Sequence, residues 1–221
     1  MKIGINLVGV SYNDGTKGGR YRNYEDAKDS FFKYIVNPLK EQGHEISFYI
    51  YSYYSRKADQ IADFYRPKKY IFADESYNRL GGGDKIDGMR IISATHVHSL
   101  RELLGQNLHV IISTRFDLSP NENFPLDKLD FTKFNFLFRE PEYTHLPIVC
   151  DTFFAFPYSM TESFAEAIID YELNPYMGVS VAMHNIYHPT CIRLGKENVR
   201  LVTDEFYSSL NNPFYTLTRH E

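Results

Sequence analysis

Three charged residues directly follow apolar segments, at positions where side chains can act on a bound ligand. The segment LHVIISTRFDLSP carries Ser113, Arg115 and Asp117 at its end, and PIVCDTFFAF carries Asp151. An arginine can bind phosphate oxygens through two parallel N–H bonds. A carboxylate can hold a divalent metal beside a diphosphate leaving group, or it can take a proton from an attacking hydroxyl. The alternative is structural: an Arg–Asp pair at a loop and an aspartate that caps a turn.

A glycine-rich polar loop follows the first apolar segment of the chain. Gly9, Val10 and Ser11 begin it, and further glycines lead to Arg20. Such a loop allows a nucleotide to approach the backbone closely. The spacing fits neither the dinucleotide-binding GxGxxG pattern nor the P-loop pattern. The loop with Gly9, Val10, Ser11 and Arg20 is therefore either a nucleotide-binding loop or a plain surface loop.

Two histidines, His184 and His188, lie four residues apart in VAMHNIYH. On a helix this spacing places both imidazoles on one face, as metal ligands require. The HExxH pattern of zinc proteases is absent. Either each histidine is structural, or His184 completes a Mn²⁺ or Mg²⁺ site with Asp117.

The predicted elements place these residues at one edge of a sheet. Residues 2–10 and 45–53 read as strands that flank a helix at 24–42, a βαβ arrangement that indicates parallel strands. Residues 108–114 form the clearest buried strand, after a helix at 89–104. Because ligands of open α/β sheets bind outside the carboxyl ends of the strands, the candidate residues fall at the expected edge.

The second half of the chain continues the α/β pattern. Strands are predicted at 134–138, 147–150 and 199–202, and a helix at 159–173 after a loop. The fold class is therefore α/β, a Rossmann-type, mixed but mostly parallel sheet with helices on both faces, in a single domain.

Composition narrows the classes of function. The net charge of −4, without a basic tract, argues against nucleic-acid binding. No segment reaches the about 20 apolar residues of a transmembrane helix. The two cysteines have neither disulfide-framework nor metal-type spacing, which favours a reducing, cytoplasmic compartment.

The order of these segments resembles that of small GT-A-type glycosyltransferase-like proteins of large DNA viruses, algae and microbes. The resemblance covers most of the chain. It rests on KIGINLVGVSY, YEDAKDSFFKYIVNPLKEQGHEISFYIYSY, VIISTRFDLSP, DKLDFTKFNFLFRE, IVCDTFFAFPYSM, HNIY and NPFYTLTR.

The resemblance implies an enzyme that moves a hexose or pentose from a nucleoside-diphosphate sugar to a hydroxyl of a glycan or glycoprotein. Residues 1–118 would form the nucleotide-sugar half and residues 119–221 the acceptor half, in the cytoplasm of a host cell if the protein is viral. GT-A-type enzymes commonly carry a metal-binding DxD motif after a central strand. Here Asp117 matches its last carboxylate, whereas Arg115 replaces the first, so metal dependence stays open.

Catalytic roles follow from the same resemblance. Arg115 would help to stabilise the diphosphate, and Asp151 would act as the base of an inverting enzyme or as a positioning group in a retaining one. One alternative is a non-catalytic nucleotide- or glycan-binding module with a degenerate DxD motif. Another is a different Rossmann-like enzyme, such as a nucleotide-dependent hydrolase or a methyltransferase.

Overall fold

The computed structural model describes residues 1–13, 21–73, 85–140, 148–173 and 185–220. The strands are β1 Lys2–Gly9, β2 Tyr12–Asn13, β3 Tyr21–Asn23, β4 Glu45–Tyr53, β5 Lys69–Ala73, β6 Val110–Arg115, β7 Leu118–Pro120, β8 Phe134–Phe136, β9 Arg139–Glu140, β10 Ile148–Val149, β11 Phe153–Pro157, β12 Val199–Leu201, β13 Tyr215–Leu217 and β14 Arg219–His220. The α-helices are α1 Glu25–Phe31, α2 Asn37–Glu41, α3 Ala58–Tyr65, α4 Lys85–Glu102, α5 Thr161–Leu173 and α6 Tyr187–Leu194.

A seven-stranded sheet with the order β12-β8-β11-β6-β1-β4-β5 forms the centre of the described structure. β11 is antiparallel to its neighbours β6 and β8, and the other adjacent strands are parallel. Three small sheets, β10-β9, β13-β7 and β14-β3-β2, accompany it. The predicted mixed, mostly parallel sheet of Rossmann type is confirmed.

Both faces of the sheet are covered by helices, as predicted. Successive strand residues alternate between two apolar clusters: Ile112 packs in one with Ile35 and Ile61 from the helices that follow β1 and β4. Its neighbour Ile111 packs in the other with Leu100 and Phe164 from α4 and α5. This division follows from the two-residue period of a strand, which turns neighbouring side chains to opposite faces.

The helix predicted at 24–42 is divided into three parts. α1 leads into a π-helical turn at Phe32–Val36, and α2 follows with Pro38 in its first turn. Proline lacks the N–H that would continue the hydrogen-bond ladder of an α-helix. The wider turn, in which Asn37 N–H donates to Phe32 O five residues earlier, accommodates Pro38 without ending the helix.

The prediction of a loop between residue 150 and the helix at 159–173 is wrong. Phe153–Pro157 forms β11, and its antiparallel pairing with β6 places Phe153 opposite Thr114. The five residues FFAFP are apolar on both faces because both sides of this strand are buried under helices. Such a continuous apolar run lacks the alternation that marks a half-exposed strand.

None of the helices in the described part of the chain has the length and apolar composition needed to cross a lipid bilayer.

Candidate functional site at the carboxyl ends of β1 and β6

The central strands create a crevice where the strand order changes direction. β4 lies next to β1 on one side within the sheet, and β6 lies next to β1 on the other side. The ends of β1 and β6 are level, because Val8 is paired with Arg115. Ligands of open α/β sheets bind outside the carboxyl ends of strands at such a reversal. The crevice between these two strands is therefore the candidate site.

The loop after β1 is held in place at the rim of this crevice. Gly9 has a φ of +97°, a conformation that strongly favours glycine, and it turns the chain out of the strand. Ser11 is buried, accepts a hydrogen bond from Ser52 Oγ at 2.7 Å, and its carbonyl accepts one from Tyr24 N–H at 3.0 Å. The predicted residues Gly9, Val10 and Ser11 thus lie at the crevice. Arg20 is outside the described residues, so its predicted role is untested.

Arg115 and Asp117 form a bidentate ion pair at the end of β6. Arg115 Nε donates to Asp117 Oδ1 and its Nη2 donates to Oδ2, both at 2.8 Å. The carboxylate side chain is 3% exposed, whereas that of Arg115 is 19% exposed. Asp117 therefore fixes the guanidinium from its buried side. The N–H groups that do not donate to Asp117 can donate to a ligand in the crevice.

The charge of Arg115 is secured by its neighbours. Burial by itself lowers the pKa of Arg115, but the charge and hydrogen bonds of Asp117, together with the electrostatic effects of Asp151 and Tyr215, outweigh this effect. The net effect raises the pKa of Arg115 above its ordinary value. The guanidinium is thus a permanent cation in a partly desolvated place, where attraction to an anionic ligand is stronger than in water.

A second arginine approaches the same carboxylate. Arg22 on β3 has its Nε 3.9 Å from Asp117 Oδ2, and its side chain is 23% exposed. Two guanidinium groups are therefore directed to one buried carboxylate. Planar guanidinium groups are well suited to phosphate oxygens because they donate two parallel hydrogen bonds.

Further cations come from the segment after β4 and were missed in the sequence. Arg56 Nε donates to Tyr12 OH at 3.2 Å, and Lys57 Nζ lies 4.9 Å from the centre of the Tyr12 ring while it pairs with Glu25. The sequence did contain a signal for them, because Arg56 and Lys57 follow the strand predicted at 45–53, at the same edge of the sheet as Gly9. These residues extend the positive rim of the crevice towards β2.

Asp151 is the second carboxylate whose charge acts on Arg115. Hydrogen bonds to the residues before and after it hold its backbone in place. Cys150 N–H donates to Phe138 O at 3.1 Å, and Thr114 Oγ1 donates to Thr152 O at 2.9 Å. Asp151 itself is 9% exposed, and its charge acts on Arg115. Arg115 is thus hydrogen-bonded to Asp117 and is within the electrostatic reach of Asp151.

Ser113, also predicted to contact the cofactor, is not at the crevice. Its side chain is fully buried and accepts a hydrogen bond from Asn6 Nδ2 at 3.2 Å, and Ser99 Oγ donates to Asn6 Oδ1 at 2.7 Å. Ser113 therefore belongs to a polar network that joins β6, β1 and α4 within the fold. The alternation of β6 places it on the face that α4 covers, two residues short of the strand end.

The contacts of Asp117 do not fit metal ligation. Both of its carboxylate oxygens accept bonds from Arg115, and Arg22 lies close to one of them. In the part of the chain that the structure describes, no three His, Cys, Asp or Glu side chains form a group that could hold a metal ion. His184 is outside the described residues, so the predicted Asp117–His184 metal site stays a prediction.

The fold and the crevice define a Rossmann-like α/β protein with an arginine–carboxylate site at the point where the strand order reverses. The chain matches no protein-family model, and no curated protein matches its sequence significantly.

Proposed function

We propose that this chain is a glycosyltransferase that uses a nucleoside-diphosphate sugar and holds the diphosphate with arginines. The observation that carries the proposal is the partly exposed Arg115, fixed by the buried Asp117 at the carboxyl end of a central strand. Arg22 and the basic pair after β4 add positive charge along the same rim. A diphosphate is the ligand group that best matches several fixed guanidinium groups in a crevice of this kind.

Transfer would break the bond between the anomeric carbon and the diphosphate oxygen while the acceptor hydroxyl forms a new bond to that carbon. The nucleoside diphosphate leaves with the bonding electron pair, and Arg115 and Arg22 stabilise the negative charge that develops on it. In an inverting reaction Asp151 takes the proton of the attacking hydroxyl. In a retaining reaction Asp151 orients the acceptor. Because both carboxylate oxygens of Asp117 accept hydrogen bonds from Arg115, no step is assigned to a metal.

A second candidate is a nucleotide- or glycan-binding module without catalysis. It is favoured by the pairing of Asp117 with Arg115, which leaves this carboxylate without a metal-binding role among the described contacts. Such a module would bind the donor and release no nucleoside diphosphate from it.

Thermal shift measurements with UDP, GDP, CMP and their sugars test the proposal, each with Mn²⁺ and with EDTA. A ligand that binds only the folded state raises the melting temperature. We expect a shift with one nucleoside diphosphate that persists in EDTA. Arg115→Gln should abolish it, and Arg115→Lys should weaken it, because lysine cannot donate two parallel bonds.

Arg193→Gln provides a matched control. Arg193 makes the same bidentate contact to Asp170, but it joins α6 to α5. Its substitution should leave the nucleotide-induced shift unchanged. If no nucleotide or nucleotide sugar shifts the wild-type protein, or if Arg115→Gln retains the full shift, the proposal fails. Release of nucleoside diphosphate in the presence of an acceptor panel then separates the transferase from the binding module.

A further inference from the structure

A second arginine site lies on the β9–β10 hairpin, beyond Asp151. Arg139 on β9 is paired with Val149 on β10, and Asp151 follows Val149 by two residues. The pairing continues through Cys150, whose N–H donates to Phe138 O. Because side chains alternate along a strand, Arg139 and its partner Val149 share one side of the strand pair. Asp151 follows the strand partner of Arg139 by two residues, so the two residues belong to neighbouring parts of the chain.

One atom of the Arg139 side chain, the Nε, lacks the hydrogen-bond partner that a guanidinium normally has in the described part of the chain. Its Nε is buried, and no hydrogen-bond acceptor for it exists among the described residues. Burial of an unsatisfied donor is costly, and a charged donor costs more than a neutral one. Glu140, the next residue, points to the opposite side of β9 and accepts a hydrogen bond from Ser209 Oγ. The Arg139 side of the hairpin therefore receives no compensating carboxylate from β9.

An exposed aromatic ring accompanies Arg139. The Phe206 side chain is 53% exposed, and its ring centre lies 6.0 Å from Arg139 Cζ. The segment around it is fixed, since Phe206 forms a parallel bridge with Arg139 and Tyr207 N–H donates to Arg139 O at 2.9 Å. An exposed ring in a fixed position offers a flat apolar surface on which a sugar can stack.

We propose that Arg139 and Phe206 form an acceptor subsite for a sugar that carries an acidic group, a carboxylate or a phosphate. The acid pairs with Arg139, and the ring of the sugar stacks on Phe206. The reacting hydroxyl then lies at Asp151, between Arg139 and the diphosphate site at Arg115. The assignment of this ligand as the acceptor rests on the proposed transferase function, whereas its binding does not.

Titration calorimetry with three hexoses tests the subsite: D-glucuronate, glucose 6-phosphate and neutral D-glucose. We expect at least one acidic sugar to bind about tenfold more tightly than glucose, the effect of one charge-assisted contact. Arg139→Gln should remove this preference. Phe206→Ala, a change at an exposed side chain, should weaken binding of the acidic sugar while it leaves the fold intact. Arg200→Gln, on β12, is the control and should change nothing.

Binding of UDP is measured in the same variants to separate the two proposals. Arg139→Gln should bind the nucleotide as the wild type does. Equal affinity for acidic and neutral sugars, no detectable binding of either acidic sugar, or an unchanged preference in Arg139→Gln would overturn the subsite. A preserved sugar preference in a protein that binds no nucleotide would overturn the transferase proposal alone.

Discussion

Thr218 N–H donates to the main-chain oxygen of Asp117 at 2.8 Å, which ties the last described strands to the loop after β6. On one side of Thr218, β13 pairs with β7; on the other, β14 pairs with β3, where Arg219 lies opposite Arg22. One segment of the chain thus contacts both Asp117, which binds Arg115, and β3, which carries Arg22, although it is about 100 residues distant in sequence from Asp117.

Thr218→Pro should therefore weaken nucleotide binding more than it weakens the fold. Proline removes the N–H that bonds to Asp117 O and leaves the central sheet untouched. We expect an affinity about tenfold lower, which corresponds to one lost hydrogen bond that positions a charged group. Thr218→Ala keeps the N–H and should bind normally. Calorimetric titration measures both variants, and equal affinities would show that the segment does not position the site.

Asp117→Asn tests the burial of the ion pair. The substitution keeps the size of the side chain and removes the charge that holds Arg115, so we expect the free energy of unfolding to fall by about 2 kcal/mol. Asp170→Asn is the matched control, because Asp170 makes the same two contacts to Arg193 but is 43% exposed. An exposed pair of this kind contributes little to stability, so Asp170→Asn should lower the free energy of unfolding much less. Urea unfolding measures the free energy of unfolding of both variants. Similar losses would show that burial does not strengthen the Arg115–Asp117 pair.

The edge of the sheet that carries the site was predictable because β1, β4 and β6 have strong apolar signals with polar residues directly behind them. Parallel strands bring such residues together at one edge, so the juxtaposition of Gly9, Arg115 and Asp117 follows from the fold class. The bidentate bond itself was not predictable. It depends on the turn at Phe116, which lies between Arg115 and Asp117 in the sequence. The Phe116 ring packs in the core.

Contacts between distant segments account for most of what the sequence did not reveal. β2 and β3 are short strands, β3 pairs with both β2 and β14, and strands of two or three residues carry no periodicity. Phe206 was not recognised either, because its value to a site comes from its position against Arg139 rather than from its own neighbours in sequence. Local patterns determine the elements, whereas the partners of a loop depend on the packed structure.

Gly9→Ala should lower both stability and nucleotide affinity. An added Cβ at Gly9 meets no atom within 4 Å, so the cost comes from the φ of +97° alone, about 1–2 kcal/mol. Gly43→Ala is a matched control with a φ of +81° and equally open space, after α2. Its unfolding free energy should fall by a similar amount with no change in nucleotide affinity. If both variants bind the nucleotide equally well, the turn at Gly9 does not form part of the site.

The buried thiol of Cys150 should be inert, which separates it from the chemistry of its neighbour Asp151. Burial raises the pKa of Cys150 from 9.0 to about 12, against weaker opposing effects of hydrogen bonds with Thr152 and Tyr215. At pH 8 the thiolate, the reactive form, is then about one ten-thousandth of the population. Because the native state favours the neutral thiol, this group stabilises the fold below pH 9, and its contribution is lost as the pH rises towards 12.

Iodoacetamide at pH 8, followed by peptide mass spectrometry, measures this reactivity. We expect labelling of the partly exposed Cys191 and none of Cys150 in the native protein, and labelling of both in denaturant. The Cys191→Ser variant, in which Cys150 is the single thiol, should therefore stay unlabelled until it unfolds. Rapid native labelling of Cys150 would show that solvent reaches the hydrogen-bonded cluster of Cys150, Thr152 and Tyr215. Asp151 would then lack the fixed backbone that its proposed role as a base requires.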